Sequence, residues 1–191
     1  MRVIAGSAGG LSLTVPKTVT RPTTDRVREA LFSSLGDRVE GAAVLDLYAG
    51  SGALGIEALS RGAASAVFVE ADERASETIR GNLAKTRLNG GEVRRSKVLD
   101  FLQRLPDSAR FGLVFADPPY ARNDATAAEL AALLASERLR GCLGEAGVFI
   151  LESMDAYPLP LGDEPRWEIL RDRRYGGTRL NFLQPRSRAS A

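Results

Sequence analysis

Short apolar runs alternate with amphipathic segments through most of this chain. The runs AVLDLY, SAVFVE, FGLVFA and GVFILES are typical of buried strands. The segments between them, such as ERASETIRGNLAKTRL, repeat apolar residues at the spacing of a helix. This alternation predicts an α/β fold with a doubly wound, mostly parallel sheet. Because ligands bind beyond the carboxyl ends of the strands in such sheets, functional residues are expected there.

The two ends of the chain depart from this alternation. RVIAG and LSLTVP flank a glycine-rich turn, which predicts a small β-hairpin extension within residues 1–20. The next helix is predicted to begin at Thr24 or Asp25, and ATAAELAALLASERLRGCL is predicted to form one long helix. WEILRDRRYGGTRLNFLQP predicts two antiparallel strands around a Gly-Gly turn. We expect one domain over residues 1–191, with 186–191 as a disordered tail.

The composition of the chain excludes several classes of protein and of catalytic site. The 191 residues are 44% apolar and 26% charged, as in a soluble globular domain. No stretch approaches the roughly 18 apolar residues of a membrane helix, so a cytoplasmic protein is expected. The chain has no histidine, which excludes Ser-His-Asp triads and most zinc sites, and we expect no metal. The single cysteine, Cys142, is interpreted as a bystander thiol at a helix end.

The basic residues are almost all arginine. The formal net charge is only +2, so charge alone does not require a nucleic-acid partner. Arginine nevertheless suits phosphate binding and stacking on bases. The clusters that permit an RNA partner are Arg21, Arg26 and Arg28; Arg94, Arg95 and Lys97; Arg171, Arg173 and Arg174; and Arg186 and Arg188.

The stretch VLDLYAGSGALG has the spacing G-x-G-x-x-G at Gly50, Gly52 and Gly55, and Glu70 follows 20 residues after Gly50. In dinucleotide-binding proteins this spacing places a pyrophosphate at a helix N-terminus. A carboxylate at Asp46, on the adjacent strand end, would oppose the phosphates. S-adenosylmethionine has no phosphate, and it offers a cationic sulfonium and an amino group that an acid can bind. Glu70 can accept the ribose hydroxyls of either cofactor, so Asp46 favours S-adenosylmethionine.

The tetrapeptide DPPY follows another buried strand and occupies Asp117 to Tyr120. Two prolines hold the chain extended as it leaves the sheet. The carboxylate of Asp117 and the carbonyl of Pro118 are then fixed acceptors, and Tyr120 offers a ring on which a flat partner can stack. Two such acceptors orient an exocyclic amine for attack on a methyl group. No histidine base is required, because the proton can leave after transfer.

With these motifs the chain resembles the bacterial 16S ribosomal RNA guanine-N2 methyltransferases of the RsmD type. The resemblance covers nearly the whole chain. It is carried by RPTTDRVREALF, DLYAGSGALGIEALSRG, VFVEAD, DPPY and YGGTRLNFL. DPPY is shared with many amine methyltransferases, whereas the arginine-rich segment together with the glycine loop is highly specific.

The resemblance implies a Rossmann-like class I methyltransferase fold and methyl transfer from S-adenosylmethionine to the exocyclic N2 of a guanine. That base is taken out of its stack. The implied catalytic residues are Asp117, Pro118, Pro119 and Tyr120. The implied cofactor-binding residues are Asp46, Ala49, Gly50, Ser51, Gly52, Glu70 and Val98. The implied RNA-binding residues are Arg21, Thr23, Arg26 and Arg122.

Two positions depart from the family pattern. Relatives often carry an acid or amide followed by alanine where this chain has Lys97 and Val98. Lysine cannot accept a hydrogen bond from the adenine amino group. We therefore expect Asp100 to substitute, or the adenine to be held by apolar contacts and the Val98 N–H. The turn AGSAGGLSL also lacks the arginines and tryptophan often found in the family's hairpin, which weakens an RNA contact there.

Other functions stay open on the sequence alone. DPPY presents the same acceptors to adenine N6, although no target-recognition domain is recognisable in this short chain. A nicotinamide oxidoreductase is opposed by Asp46, and a cytosine-C5 enzyme by the position of Cys142. A ribosome-assembly factor that has lost activity is kept open by Lys97. The expected partner is small-subunit rRNA within a ribonucleoprotein particle. We expect no contact with a membrane, and we expect the protein to be a monomer.

Overall fold

A computed structural model describes residues 1–16, 24–118, 124–154, 156 and 166–186 of the chain. Seven strands form one sheet in the order β3-β2-β1-β4-β5-β7-β6. The strands are β1 (Ala43–Leu47), β2 (Ser65–Glu70), β3 (Gly91–Arg95), β4 (Phe111–Ala116), β5 (Leu143–Met154), β6 (Trp167–Tyr175) and β7 (Thr178–Pro185).

The first five strands are parallel, and β7 pairs antiparallel with both β5 and β6. The predicted mostly parallel sheet with an antiparallel ending is confirmed. The hairpin around Gly176 and Gly177 is confirmed with it, and Gly176 has the positive φ of 62° that glycine tolerates best. Strands β1 and β4 are buried along nearly their whole length, because helices cover both faces of the sheet.

Six helices accompany the sheet in the described part of the chain. They are α1 (Asp25–Leu35), α2 (Ala53–Ser60), α3 (Glu73–Thr86), α4 (Val98–Arg104), α5 (Asp124–Ala135) and α6 (Glu137–Gly141). Thr24 caps α1 by accepting a hydrogen bond from the Val27 N–H, as predicted. The single long helix predicted after DPPY is wrong, since Ser136 is extended and caps a new helix through the Leu139 N–H.

Alternate residues of each central strand supply two apolar layers. In β1, Val44 packs into the layer formed with α1, α2 and α3, whereas Leu45 and Leu47 pack into the layer formed with α4, α5 and α6. Trp167 closes the second layer, and its indole N–H donates to the Leu134 carbonyl at 2.8 Å. Among the described residues, no helix is long and apolar enough to cross a bilayer. None of their His, Cys, Asp or Glu side chains form a group of three that could hold a metal ion.

The predicted N-terminal hairpin is present as a loop held by one bridge, Arg2 with Ser12, and it packs on α2. The loop is anchored by Glu57, a fully buried acid on the mostly apolar helix α2. One oxygen of Glu57 accepts from the Ile4 N–H at 2.7 Å, and the other accepts from the Ala5 N–H at 3.1 Å and from Arg61 Nε at 2.6 Å.

A second buried ion completes this anchor. Arg28, from α1, has no exposed surface, and its Nη1 lies 3.9 Å from Glu57 Oε2. Its Nη2 donates to the Arg2 carbonyl at 2.5 Å and to Asp25 at 2.8 Å. Because the two buried charges compensate each other, they hold α1, α2 and the N-terminal loop together.

Replacing Glu57 with alanine should therefore destabilise the fold by about 3–5 kcal/mol, since it removes the acceptor of the Ile4 and Ala5 N–H groups and leaves Asp25 as the partner of the buried charge of Arg28. Urea unfolding followed by circular dichroism measures this loss. The control is Glu77→Ala, which removes an exposed ion pair with Arg80 and should cost no more than about 1 kcal/mol. Equal small losses in the two variants would contradict the anchoring role of Glu57.

Candidate active site at the carboxyl edge of the sheet

Three acidic side chains lie at the carboxyl ends of three neighbouring strands. Asp46 is in β1 and pairs in register with Phe68 of β2 and with Phe115 of β4. Glu70 and Asp117 each lie two residues beyond those partners. With strands about 4.8 Å apart and a rise of about 3.3 Å per residue, all three backbone positions fall within one small area. The fold therefore brings together the acids that the motifs had singled out.

The glycine loop connects β1 to α2 through a sharp turn at this edge. The Ala49 N–H donates to the Val69 carbonyl, and the Gly52 N–H donates back to the Ala49 carbonyl at 2.7 Å. Gly50 and Gly52 have φ values of 54° and 76°, a left-handed conformation that favours glycine. Tyr48 also has a positive φ, of 58°, which is uncommon for a non-glycine residue.

The third glycine of the motif serves packing. A side chain at Gly55 would place its Cβ 2.3 Å from the ring of Phe68 and 3.1 Å from Asp46 Oδ2. The absence of a side chain lets α2 pack directly on β2. The Gly55 N–H then donates to Asp46 Oδ2 at 2.8 Å, so the helix that follows the loop fixes the orientation of this carboxyl.

The surroundings of Asp46 disfavour the ionised form of its carboxyl group. The side chain is 2% exposed, and burial raises its pKa to about 7. Repulsion from Glu70 contributes to this rise, and the hydrogen bond from the Gly55 N–H opposes it. A pyrophosphate beside these two acids would meet additional repulsion, whereas a cation would relieve the cost of ionising Asp46.

Glu70 is half-buried and braces the loop from the neighbouring strand. Its Oε2 accepts from the Gly50 N–H at 2.8 Å, and its Oε1 accepts from the Asp72 N–H at 2.8 Å. A carboxylate oxygen has two acceptor positions, so each oxygen keeps one for a ligand hydroxyl. The same carboxylate can therefore fix the loop and accept from a ribose.

Asn82 contacts the loop from α3, and the sequence motifs did not reveal it. Its side chain is 1% exposed, and its amide nitrogen donates to the carbonyls of Ser51 and Thr14, each at 2.9 Å. Its amide oxygen accepts from the Thr14 N–H at 2.8 Å. Asn82 thus ties the glycine loop to the N-terminal segment. A lone amide at a core position of an amphipathic helix was the only signal for it in the sequence.

A second contact missed by the motifs joins the loop to α5. The Tyr48 hydroxyl donates to Glu129 Oε1 at 2.9 Å, and burial together with Glu129 raises the pKa of Tyr48. Tyr48 is at the start of the loop, and α5 follows the DPPY segment in the chain. This hydrogen bond connects α5 to the start of the glycine loop.

The DPPY motif is described as far as Pro118. Asp117 is half-buried and Pro118 is buried, directly after β4 at the edge that also carries Asp46. Pro119 and Tyr120 lie outside the described residues, as do Arg21, Thr23 and Arg122. Arg26 is described, and it is exposed in the first turn of α1.

The residues predicted near the adenine lie at the start of α4, after β3. Val98 is the first residue of that helix and is 3% exposed. Lys97 precedes it as the cap residue and makes no capping hydrogen bond through its side chain. Asp100 is exposed in the first turn. Buried Val98 is compatible with apolar contact to a base, and its role stays a prediction, as do those of Ala49 and Ser51.

Cys142 lies away from this edge, at the end of α6. Burial raises the pKa of its thiol to about 11, and the Sγ–H donates to the Leu139 carbonyl. A buried thiol that stays protonated is not a nucleophile. This agrees with its interpretation as a bystander.

Comparison with known proteins places these features in context. The chain is 43% identical over 123 residues to an Escherichia coli protein named ribosomal RNA small subunit methyltransferase D, a match that spans 64% of this chain and 61% of that one. It is 45% identical over 126 residues to the Bacillus subtilis protein YlbH, which covers 63% of this chain and 67% of that one.

Solved structures match over a greater length. The Escherichia coli protein yhhF has a TM-score of 0.79 and 33% identity, covering 98% of this chain and 99% of that one. The Thermus thermophilus protein TTHA0928 has a TM-score of 0.78 and 34% identity, covering 96% and 99%. A Lactobacillus delbrueckii ribosomal protein L11 methylase, at 19% identity and a TM-score of 0.70, shares the Rossmann-like fold.

The family model described as conserved hypothetical protein 95 matches residues 1–184. This match extends from the N-terminal loop through the glycine loop and DPPY to the closing strand β7. The resemblance to the RsmD type is confirmed, and the chain belongs to the conserved hypothetical protein 95 family.

Proposed function

We propose that this protein transfers a methyl group from S-adenosylmethionine to the exocyclic N2 of a guanine in small-subunit ribosomal RNA. The observation that carries the proposal is the buried carboxyl of Asp46 between the glycine loop and Glu70, one strand from Asp117. The names of the relatives support the substrate, since the 43% identical Escherichia coli protein is a small-subunit rRNA methyltransferase. A cytoplasmic location, at small ribosomal subunits, goes with this substrate.

The residues present fit S-adenosylmethionine, which when bound supplies an electrophilic methyl group on a sulfonium. Asp46 would hold the amino group, directly or through water, because a nearby cation offsets the cost of ionising this buried acid. Gly50 and Gly52 would let the chain approach the methionine end of the cofactor. Glu70 would accept from the ribose hydroxyls with its remaining lone pairs. Val98 would contact the adenine.

Asp117 would act on the substrate amine. Its carboxylate and the Pro118 carbonyl would each accept one N–H of the guanine amino group. These two hydrogen bonds would turn the nitrogen lone pair towards the methyl group, and the extra proton would leave to solvent after transfer. Tyr120, the last residue of the motif, would stack on the extruded base.

Asp117→Ala should raise the activation free energy of methyl transfer by about 2–4 kcal/mol and so slow the reaction, as for the loss of one positioned polar group. The measurement uses labelled S-adenosylmethionine with small ribosomal subunits that lack guanine-N2 methylation, followed by nucleoside analysis. Label is expected in N2-methylguanosine. Label in methyladenosine would instead make the protein an adenine-N6 enzyme.

The control for that experiment is Asp37→Ala, at an exposed acid in the short 3₁₀ turn after α1. It should leave the rate unchanged. Calorimetry should give both variants the affinity of the wild type for the cofactor. Undiminished transfer by Asp117→Ala would remove Asp117 from the mechanism.

Asp46→Asn should change how the stability of the free protein depends on pH. The folded pKa of about 7 is above the ordinary value of 3.8, so the native state retains a proton that the unfolded chain has released. The stabilisation from this group is complete below pH 3.8 and is lost as the pH rises through about 7. The free energy of unfolding of the variant should lack this decrease between pH 5 and pH 8. Urea unfolding of both proteins at the two pH values measures it. A wild type and a variant with parallel pH profiles would show that Asp46 ionises normally.

A further inference from the structure

A further acid, Glu152, lies beside Asp117 at the carboxyl edge of the sheet. Ala116 of β4 pairs with Leu151 of β5, and Asp117 and Glu152 are the next residues along the two strands. Neighbouring strands are about 4.8 Å apart, so the two backbone positions are adjacent. Glu152 is 5% exposed, and Asp117 is half-buried. This edge of the sheet therefore holds two carboxyl groups side by side.

Glu152 faces the same side of the sheet as Asp117. Successive side chains of a strand point to opposite faces. Ile150 and Phe115, two residues before Glu152 and Asp117, both lie in the apolar layer formed with α1, α2 and α3. Asp46 faces that layer as well, by the same alternation in β1. The acid on β5 and the acids of the candidate active site thus share one face of the sheet.

Packing alone does not account for an acid at position 152. Its neighbour on the other side is Leu180 of β7, which is 1% exposed. An apolar side chain at position 152 would continue the layer of Ile150, whereas two ionised acids side by side in a sheet destabilise it. Glu152 also interacts with another group of the protein. A carboxylate has about four acceptor positions, so it can accept from the protein and from a ligand together.

The order of the strands sets the side from which a substrate reaches Asp117. In the sheet, β4 lies between β1 and β5. The acids proposed to hold S-adenosylmethionine, Asp46 and Glu70, are on β1 and β2. A base whose amino group points from Asp117 towards the cofactor therefore extends its ring away from β1 and over β5. Glu152 is on that side.

The two acceptors proposed for the amino group, Asp117 and the Pro118 carbonyl, suit adenine as well as guanine. The two bases differ at the ring nitrogen N1 next to that group, which carries a hydrogen in guanine and is an acceptor in adenine. An ionised carboxylate only accepts hydrogen bonds. It therefore favours guanine, and it repels the lone pair on N1 of adenine.

We propose that the Glu152 carboxylate accepts a hydrogen bond from the N1–H of the target guanine and thereby selects guanine over adenine. This inference rests on the proposed function, because it takes guanine N2 as the methyl acceptor. It assigns the choice of base to a residue outside DPPY. Because Glu152 is almost entirely removed from water, a base without the N1 hydrogen leaves the carboxylate unmatched there, and discrimination is strong.

The test compares guanine with 2-aminopurine, which keeps the amino group at C2 but has an acceptor at N1. Small-subunit rRNA with either base at the methylated position is made by ligation and assembled into subunits. Transfer of label from S-adenosylmethionine then gives kcat/KM for each base. The wild type should favour guanine by about 100-fold or more, because a site that binds a substrate N–H rejects an analogue that lacks it.

Glu152→Gln has nearly the same shape, but its amide can donate to an acceptor at N1 as well as accept from N1–H. It should reduce the preference for guanine by about 10- to 100-fold, the effect of one hydrogen bond to a charged group. The missing O6 of 2-aminopurine affects both proteins alike. The matched control, Glu145→Gln, changes an exposed acid on the same strand and should keep the preference. Cofactor binding measured by calorimetry shows that both variants are folded.

An unchanged preference in Glu152→Gln would overturn the proposal, even if transfer to both bases fell equally, because Glu152 would then have only a structural role. A preference lost in Asp117→Asn but kept in Glu152→Gln would assign the N1 contact to Asp117. A wild type without a preference for guanine would overturn the proposal whatever the variants do. In each of these cases, N2-methylguanosine from unmodified subunits leaves the proposed function standing. Label in methyladenosine would reject the proposed function and this inference together.

Discussion

The buried carboxyl of Asp46 is the constraint on which the site depends. It lies at the end of the central strand, where α2 packs so closely on β2 that only glycine fits at position 55. That close packing gives Asp46 one hydrogen bond, from the Gly55 N–H, and removes almost all contact with water. Burial at this place raises the pKa of the acid, and the ionised acid costs the free protein stability. Its presence has a physical reason if a cation occupies the neighbouring loop.

Three other contacts hold the glycine loop in place next to this buried carboxyl. Glu70 accepts from Gly50, Asn82 donates to Ser51, and Tyr48 connects the start of the loop to Glu129 on α5. Each contact joins the loop to a different element. The glycine loop, the N-terminal segment and the helix after DPPY are thereby positioned relative to one another before a ligand binds, as an active site that acts by orientation requires.

Local pattern was sufficient for most of the fold and for the acids of the site. The strands were predicted from apolar runs, and the position of Asp46 and Glu70 at one edge followed from the parallel topology. The break at Ser136 was missed because ALLASERL keeps a helical spacing across it, while the cap depends on one backbone angle. The Arg28–Glu57 pair and Asn82 were missed for another reason. Each makes contacts 26 to 68 residues away in the chain, and no spacing rule reports them.

The positions of the arginine clusters relative to the site also depend on long-range register. The sequence showed a cluster at Arg171, Arg173 and Arg174, and nothing local distinguished it from the cluster at Arg94 and Arg95. Strand pairing brings both clusters to the edge that holds Asp117, because Arg95 pairs with Glu70 and Arg173 pairs with Leu180.

The most direct test of this account is the proton released when S-adenosylmethionine binds. At pH 7, with a pKa of about 7, Asp46 is about half protonated in the free protein, and a bound ammonium group should lower that pKa. Calorimetry in two buffers of different ionisation enthalpy should therefore detect release of up to about half a proton in the wild type and none from Asp46→Asn. Tight binding with no proton release, or equal release by the variant, would show that the buried carboxyl of Asp46 does not hold the cofactor.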